Sequence, residues 1–269
     1  MLIDRLKTLL VLIPVGLFCI VIGGWAYILF LCALLGVSGW ELWRMFHNGG
    51  YDPSLPVMVI GSVLIAGVRP FFGFAGSDLV LSACVMFTMT LALVGYEKGR
   101  DRPASDFAIT IGAVVYLGWL GAYLMDLRWM DQGLYWVLTA LPAAWFADVG
   151  AYLIGSKFGK TQMVPRLSPH KTWEGYFGGV IFAVLGCGLL GAAWNTLTPA
   201  ITFQRGLLLG LILSIVTPLG DLGESMLKRQ FGVKDTSNIL PGHGGILDRI
   251  DTSLWAGVIS YYIITFFLH

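Results

Sequence analysis

Two pairs of acidic residues lie three apart near the C-terminal end of the chain, Asp221 with Glu224 and Asp248 with Asp251. Residues three or four apart share one face of a helix, and Lys228 continues the face of the first pair at i+7. Two carboxylate pairs brought together form an all-oxygen site, the donor type that hard divalent cations such as Mg²⁺ prefer. No His and Cys set at zinc spacing competes with that reading. The plainer alternative is neutralisation of these acids by Arg229, Lys234 and Arg249. Between the pairs lies Pro241-Gly242-His243-Gly244-Gly245. Three glycines in four positions let a backbone approach a ligand closely and aim N–H groups at it. Flanked by Lys228, Arg229, Lys234 and Arg249, this stretch reads as a phosphate cradle, with His243 either a turn residue or a phosphate ligand.

A second polar stretch reads Ser168-Pro169-His170-Lys171-Thr172-Trp173-Glu174-Gly175 and leads into an apolar run. A helix starting there offers free N–H donors and partial positive charge, and Lys171 adds a full charge, which suits a phosphate group. The alternative is ordinary capping by Ser168 or Thr172. Two more acids, Glu41 and Asp148, sit inside apolar stretches. A carboxylate within a membrane span is costly and marks a candidate functional site. Glu41 also lies three residues from Arg44, so simple pairing is the competing reading there.

The elements that must position these groups are apolar helices. The chain has 269 residues, 57% hydrophobic and only 12% charged; a soluble domain of this length would carry roughly twice that charge. The mean hydropathy of +0.77 agrees. Spans of about 20 apolar residues are needed to cross a bilayer. Two short spans fit the run from Thr8 to Phe46, with a turn at Gly23-Gly24. Further spans fall at about 56–75, 77–96, 104–125, 132–154, 174–194, 203–228 and 252–268, nine in all. The pair flanking Arg69-Pro70 has a re-entrant feature as its alternative. The expected class is therefore an all-α, polytopic membrane protein. It is organised as N-terminal helices 1–103, middle helices with the first motif loop 104–173, and C-terminal helices with the second motif loop 174–269. Cys19, Cys32, Cys84 and Cys187 all lie in apolar stretches and read as small buried hydrophobes. The net charge of +1 argues against nucleic acid as a partner.

Basic residues orient the spans. With the N-terminus in the cytoplasm, 14 of the 17 Lys and Arg residues fall in inside segments, leaving only Arg69, Arg128 and Arg205 outside. That bias gives N-in, C-out, with His269 outward and both motif loops, 155–174 and 229–247, cytoplasmic. Asp148 lies roughly 24 Å of helix rise from the start of its span and Asp221 roughly 27 Å from the start of its own, which puts both near the inner headgroup level. A site for several phosphates and a divalent ion at that depth points to phosphoryl or nucleotidyl chemistry on a lipid. An ion-coupled transporter is the alternative from another class, since intramembrane acids also mark ion pathways; the gathering of the acids at one face, with no inverted repeat, speaks against it. A CDP-alcohol phosphotransferase is a second, and its Asp-Gly start with Asp residues four apart is not found.

The stretch Ser225 to Asp251, SMLKRQFGVKDTSNILPGHGGILDRID, closely resembles the signature of the phosphatidate cytidylyltransferases, or CDP-diacylglycerol synthases. Its fixed positions are met by Ser225, Lys228, Arg229, Lys234, Asp235, His243, Gly244, Gly245, Asp248, Arg249 and Asp251. The run Ala147-Asp148-Val149-Gly150-Ala151-Tyr152 and the Ser168 to Gly175 stretch resemble two further motifs of that family. Val149 stands where Thr is usual and His170 where Lys is common. The resemblance covers the C-terminal half in its motifs. It implies the reaction CTP plus phosphatidic acid to CDP-diacylglycerol plus pyrophosphate with Mg²⁺, in a bacterial inner membrane and as a homodimer. It also leaves room for a second, monovalent ion such as K⁺. On that reading Asp221 and Asp248 ligate the metal, with Asp148, Glu224 and Asp251 in or near its shell. Lys228, Arg229, Lys234, Asp235, Arg249 and the Gly244-Gly245 backbone take the nucleotide, with His243 a phosphate ligand or a donor to the leaving pyrophosphate. Ser168, Lys171 and Thr172 take the phosphatidate headgroup.

Overall fold

The computed structural model describes residues 2–240, 242 and 244–268, with side chains from Leu10 onward. His243, His269 and the side chains of Arg5 and Lys7 lie outside the described residues. Among the described residues, seven helices are long and apolar enough to cross a membrane: α2 (Gly24–Asn48), α3 (Val57–Glu97), α4 (Pro103–Trp129), α5 (Gly133–Phe158), α6 (Trp173–Trp194), α7 (Phe203–Gln230) and α8 (Leu247–Leu268). They follow a first helix, α1 (Leu2–Ile22), whose apolar part is the shorter Leu10–Ile22. A helix of 22 residues rises about 33 Å, enough for a hydrocarbon core of about 30 Å. Large apolar side chains such as Phe72, Leu79, Met86, Phe177 and Leu189 point outward, as lipid-facing residues do.

The chain forms two compact units. The first comprises Met1–Asp126 and Gln230–Ile250, the second Leu127–Arg229 and Asp251–His269. In the first, Gly23 separates α1 from α2 with φ 68°, at the Gly23-Gly24 turn read from the sequence. Gly73 breaks α3 in the same way, with φ 59° and ψ −152°, a conformation open almost only to glycine. The two halves of α3 fold back on each other there. The Ser77 hydroxyl donates to the Ile65 carbonyl at 2.9 Å, and Gly61 lies against Cys84; in a straight helix these pairs would lie about 18 and 34 Å apart. The expected spans 56–75 and 77–96 are thus two arms of a helical hairpin. The core of this unit holds Leu35, Met58, Ile65, Leu117 and Met125.

Beside the Gly73 break the Arg69 side chain is enclosed. Its guanidinium carbon lies 3.8 Å from the ring centre of Phe74, 4.9 Å from that of Trp119 and 5.4 Å from that of Tyr123, and Nε is 3.5 Å from a carboxylate oxygen of Asp126. A charge read from the sequence as lying in an outside segment is therefore 2% exposed and caged by aromatic faces.

In the second unit α5, α6 and α7 pack through small residues. A Cβ on Gly179 would meet the Ala147 carbonyl, and one on Gly210 the Ala183 carbonyl, each at 2.7 Å, so these backbones approach as small-residue helix seams allow. Between α5 and α6 the chain makes an antiparallel hairpin, β1 (Gln162–Val164) and β2 (Ser168–Thr172), pairing Gln162 with Thr172 and Val164 with Ser168. The all-α expectation holds at the level of class, with this small hairpin the one sheet among the described residues. Helix α8 begins at Leu247, five residues before the expected start at 252.

Candidate functional site

The second unit brings three acids together. Helix α7 is broken where Pro218 starts its second piece, Pro218–Gln230, so that Asp221 falls in a first turn, where the helix dipole favours a negative charge. Glu224 and Lys228 follow on the same face. Asp251 arrives from α8, and its approach depends on Gly220. A Cβ there would come within 2.6 Å of the Trp255 ring and 3.0 Å of the Asp251 carbonyl, so only glycine lets the two helices close at this level. One carboxylate oxygen each from Asp221, Glu224 and Asp251 lies within 4.8 Å of the others. Glu224 and Asp251 are buried, at 2% and 5% exposure, and Asp221 is half-buried.

Cations meet this trio. The Lys228 ammonium donates to Glu224 at 2.6 Å, one helical turn away, and the Lys171 ammonium pairs with Asp221. Lys171 is delivered by the β-hairpin, which is clamped to the start of α6. The Glu174 carboxylate accepts from the Lys160 and Thr161 N–H groups at 3.1 and 3.2 Å and from the Thr161 hydroxyl at 2.9 Å. The Thr172 side chain accepts from the Gly175 N–H at 3.2 Å, so of the two capping candidates Thr172 is the one that caps. The hairpin also walls a cavity of about 620 Å³ whose lining includes Asp148, Tyr152, Lys160, His170, Lys171 and Tyr176. Asp148 lies exposed on that wall and outside the acid trio. Ser168 sits at the hairpin's paired end, opposite Val164.

The signature loop, residues 230–247, belongs to the first unit and is organised by two carboxylates. Glu41 of α2 is fully buried. One of its oxygens accepts from the Ser237 hydroxyl at 2.5 Å and the Ile246 N–H at 2.9 Å; the other accepts from the Thr236 hydroxyl at 3.3 Å and the Leu247 N–H at 2.7 Å. Asp248 turns its Oδ2 back onto the loop, accepting from the Thr236 N–H at 3.0 Å, the Thr236 hydroxyl at 2.9 Å and the Gly245 N–H at 2.7 Å. Glu41 thus supplies acceptors to the Ile246 and Leu247 N–H groups, and Asp248 to the Gly245 N–H just before them, so the helix starts early, through the polar run Leu247 to Asp251. Gly244 takes φ 82°, and any side chain on Gly245 would strike Glu41 and Thr236. Phe231 anchors the loop's start against Phe46, ring centres 4.9 Å apart. Lys234, Asp235 and Arg249 are exposed, as is Arg229 in the second unit. Glu41 was visible in the sequence as an intramembrane acid, but its partners were not: Arg44 lies over the Trp40 ring instead, and Glu41 holds the loop.

Three carboxylates with adjacent lysines, a cavity walled by the β-hairpin, and a glycine-rich loop carried on the same chain define an enzyme that handles anionic substrates. The chain belongs to the cytidylyltransferase family, whose model matches residues 3–267. It is 35% identical over 266 residues to the phosphatidate cytidylyltransferase of Pseudomonas aeruginosa, covering 94% of this chain and 93% of the relative. It is 32% identical over 270 residues to that of Bacillus subtilis, covering 98% of each. With that of Mycobacterium bovis it shares 32% over 239 residues, 85% of this chain and 77% of the relative.

Proposed function

We propose that the protein is a phosphatidate cytidylyltransferase, converting CTP and phosphatidic acid to CDP-diacylglycerol and diphosphate. The observation that carries the reading, beside family membership, is the Asp221, Glu224 and Asp251 trio with Lys171 paired to its outermost member. The trio fits Mg²⁺ in donor type, since all its ligands are carboxylate oxygens and two are buried. When bound there, Mg²⁺ would neutralise charge on the phosphates and orient them. Asp148 on the cavity wall and Asp248 at the start of α8 remain proposed members of the metal site, with K⁺ a proposed second ion.

A phosphatidate oxygen attacks the α-phosphorus of CTP directly. The new P–O bond forms as the bond from the α-phosphorus to the bridging oxygen breaks, and diphosphate leaves with that electron pair. The attacking phosphate monoester has a second pKa of about 6, so it is largely ionised at neutral pH and needs no strong general base. The barrier is electrostatic, because two anions must meet. Lys171, with Ser168 and Thr172 on the hairpin, takes the phosphatidate headgroup at the cavity. Lys228, Arg229, Lys234, Asp235, Arg249 and the Gly244-Gly245 backbone take the nucleotide, with His243 a phosphate ligand or a donor to the leaving diphosphate. Their part is neutralisation and alignment. The setting that goes with this is a bacterial inner membrane crossed about nine times, N-terminus inside, with the chemistry on the cytoplasmic face and the protein a homodimer.

Purified protein given labelled CTP should form labelled CDP-lipid only when phosphatidate is present, and label transfer that ignores phosphatidate would reject the assignment. CTP made chiral at the α-phosphorus by sulfur substitution tests the direct attack. Net inversion is expected, whereas net retention would require a covalent nucleotidyl-enzyme.

A further inference from the structure

Glu41 presents an unusual pattern of acceptors. Each of its two oxygens takes one backbone N–H, from Ile246 or Leu247, and one hydroxyl, from Ser237 or Thr236. The four donors come from both ends of the signature loop's second half, residues 236–247, so one side chain of α2 closes that loop into a ring. A glutamine cannot replace it. Whichever way its amide is turned, an NH₂ group faces a buried backbone N–H, and that donor loses its acceptor. The packing is equally exclusive, because Gly245 is the residue whose missing side chain lets the loop close onto the carboxylate. The Thr236 hydroxyl lies between Glu41 at 3.3 Å and Asp248 at 2.9 Å with one proton to share, and the Thr236 N–H donates to Asp248, so the two carboxylates share a strut.

We infer that Glu41 is the positioning residue of the signature loop, fixing the backbone of residues 236–247 in the shape that receives the nucleotide phosphates. It touches no substrate and acts through the Thr236, Ser237, Ile246 and Leu247 donors. Its charge is held by hydrogen bonds and by the N-terminal end of α8, where a carboxylate is favoured. This role rests on the cytidylyltransferase reading above, and it locates the rigidity of the nucleotide subsite in a helix far from the motif in sequence.

The test is Glu41→Gln in the full-length protein, with Ser237→Ala as the milder companion that removes one donor and leaves the carboxylate. Hydrogen exchange followed by mass spectrometry should show faster exchange across 236–248 in E41Q and a smaller change of the same kind in S237A. Steady-state kinetics should show the KM for CTP raised roughly tenfold or more in E41Q, the scale of one buried donor left unsatisfied, with the KM for phosphatidate within about twofold of wild type. Unchanged exchange and an unchanged KM for CTP would overturn the proposal. So would equal losses for both substrates accompanied by a lowered unfolding temperature, which is what a merely structural residue gives. If the wild-type protein itself made no CDP-lipid, the functional reading would fail, and the exchange experiment would still decide whether Glu41 holds the loop.

Discussion

Asp221 is the member of the acid trio that both shares its face with Glu224 and pairs with Lys171. Asp221→Asn keeps the shape and removes the charge, so CDP-lipid formation should fall by about a hundredfold or more, with the half-saturating Mg²⁺ concentration rising. Near-normal turnover at normal Mg²⁺ would take this residue out of the site. Lys171→Ala should raise the KM for phosphatidate more than that for CTP; the opposite split would hand the hairpin to the nucleotide. Spacing alone made part of this visible. Asp221, Glu224 and Lys228 share a face by arithmetic, and the Glu224–Lys228 pair is a local i,i+4 contact. The meeting of Lys171 with Asp221 was hidden, because 50 residues separate them and nothing in either segment announces the other.

At the scale of elements, the α3 hairpin turns on one glycine and one arginine. A Cβ on Gly73 would meet no atom within 4 Å, so Gly73→Ala isolates the backbone conformation itself. It should cost about 1–3 kcal/mol, read as a lower midpoint of thermal unfolding in detergent. Arg69→Leu should cost more, about 3–5 kcal/mol in the same measurement, because it leaves the Asp126 carboxylate without its cation beside an aromatic cage. A midpoint unchanged by Arg69→Leu would mean the cage adds nothing to the fold. The spans themselves were legible from runs of apolar residues, and the break was narrowed to the neighbourhood of Arg69-Pro70. The β-hairpin was not, since Gln162 to Thr172 carries proline, arginine and lysine and no strand-like alternation. The early start of α8 was likewise masked by the charges of Leu247 to Asp251, which read as loop until Glu41 is seen to accept from the Ile246 and Leu247 N–H groups.

For the molecule as a whole, the 14-to-3 division of basic residues is the main guide to orientation. Single cysteines placed in residues 155–174 or 229–247 of a variant lacking its four native cysteines should resist an impermeant thiol reagent in right-side-out vesicles and react once the vesicles are inverted. Labelling of either loop from the outside would reverse the layout. Family and reaction class were legible because the signature is a contiguous run, Ser225 to Asp251. The compact units do not follow the linear order of the chain: the first draws on two distant segments, and the boundary falls inside α8, between Ile250 and Asp251. Continuous apolar helices carry no mark of where such a boundary lies.

The tie between Glu41 and the signature loop also sets a timetable for biosynthesis. Ile246 and Leu247 follow Glu41 by 205 and 206 residues. At about 5–20 residues per second, the ribosome takes roughly 10–40 s to reach them after Glu41 has been made. Throughout that interval the nascent second helix carries a carboxylate whose four final donors do not yet exist. The N-terminal unit therefore cannot finish folding until residues 236–247 are made, although most of it is translated first, and a chain halted in the middle helices leaves Glu41 without those four donors.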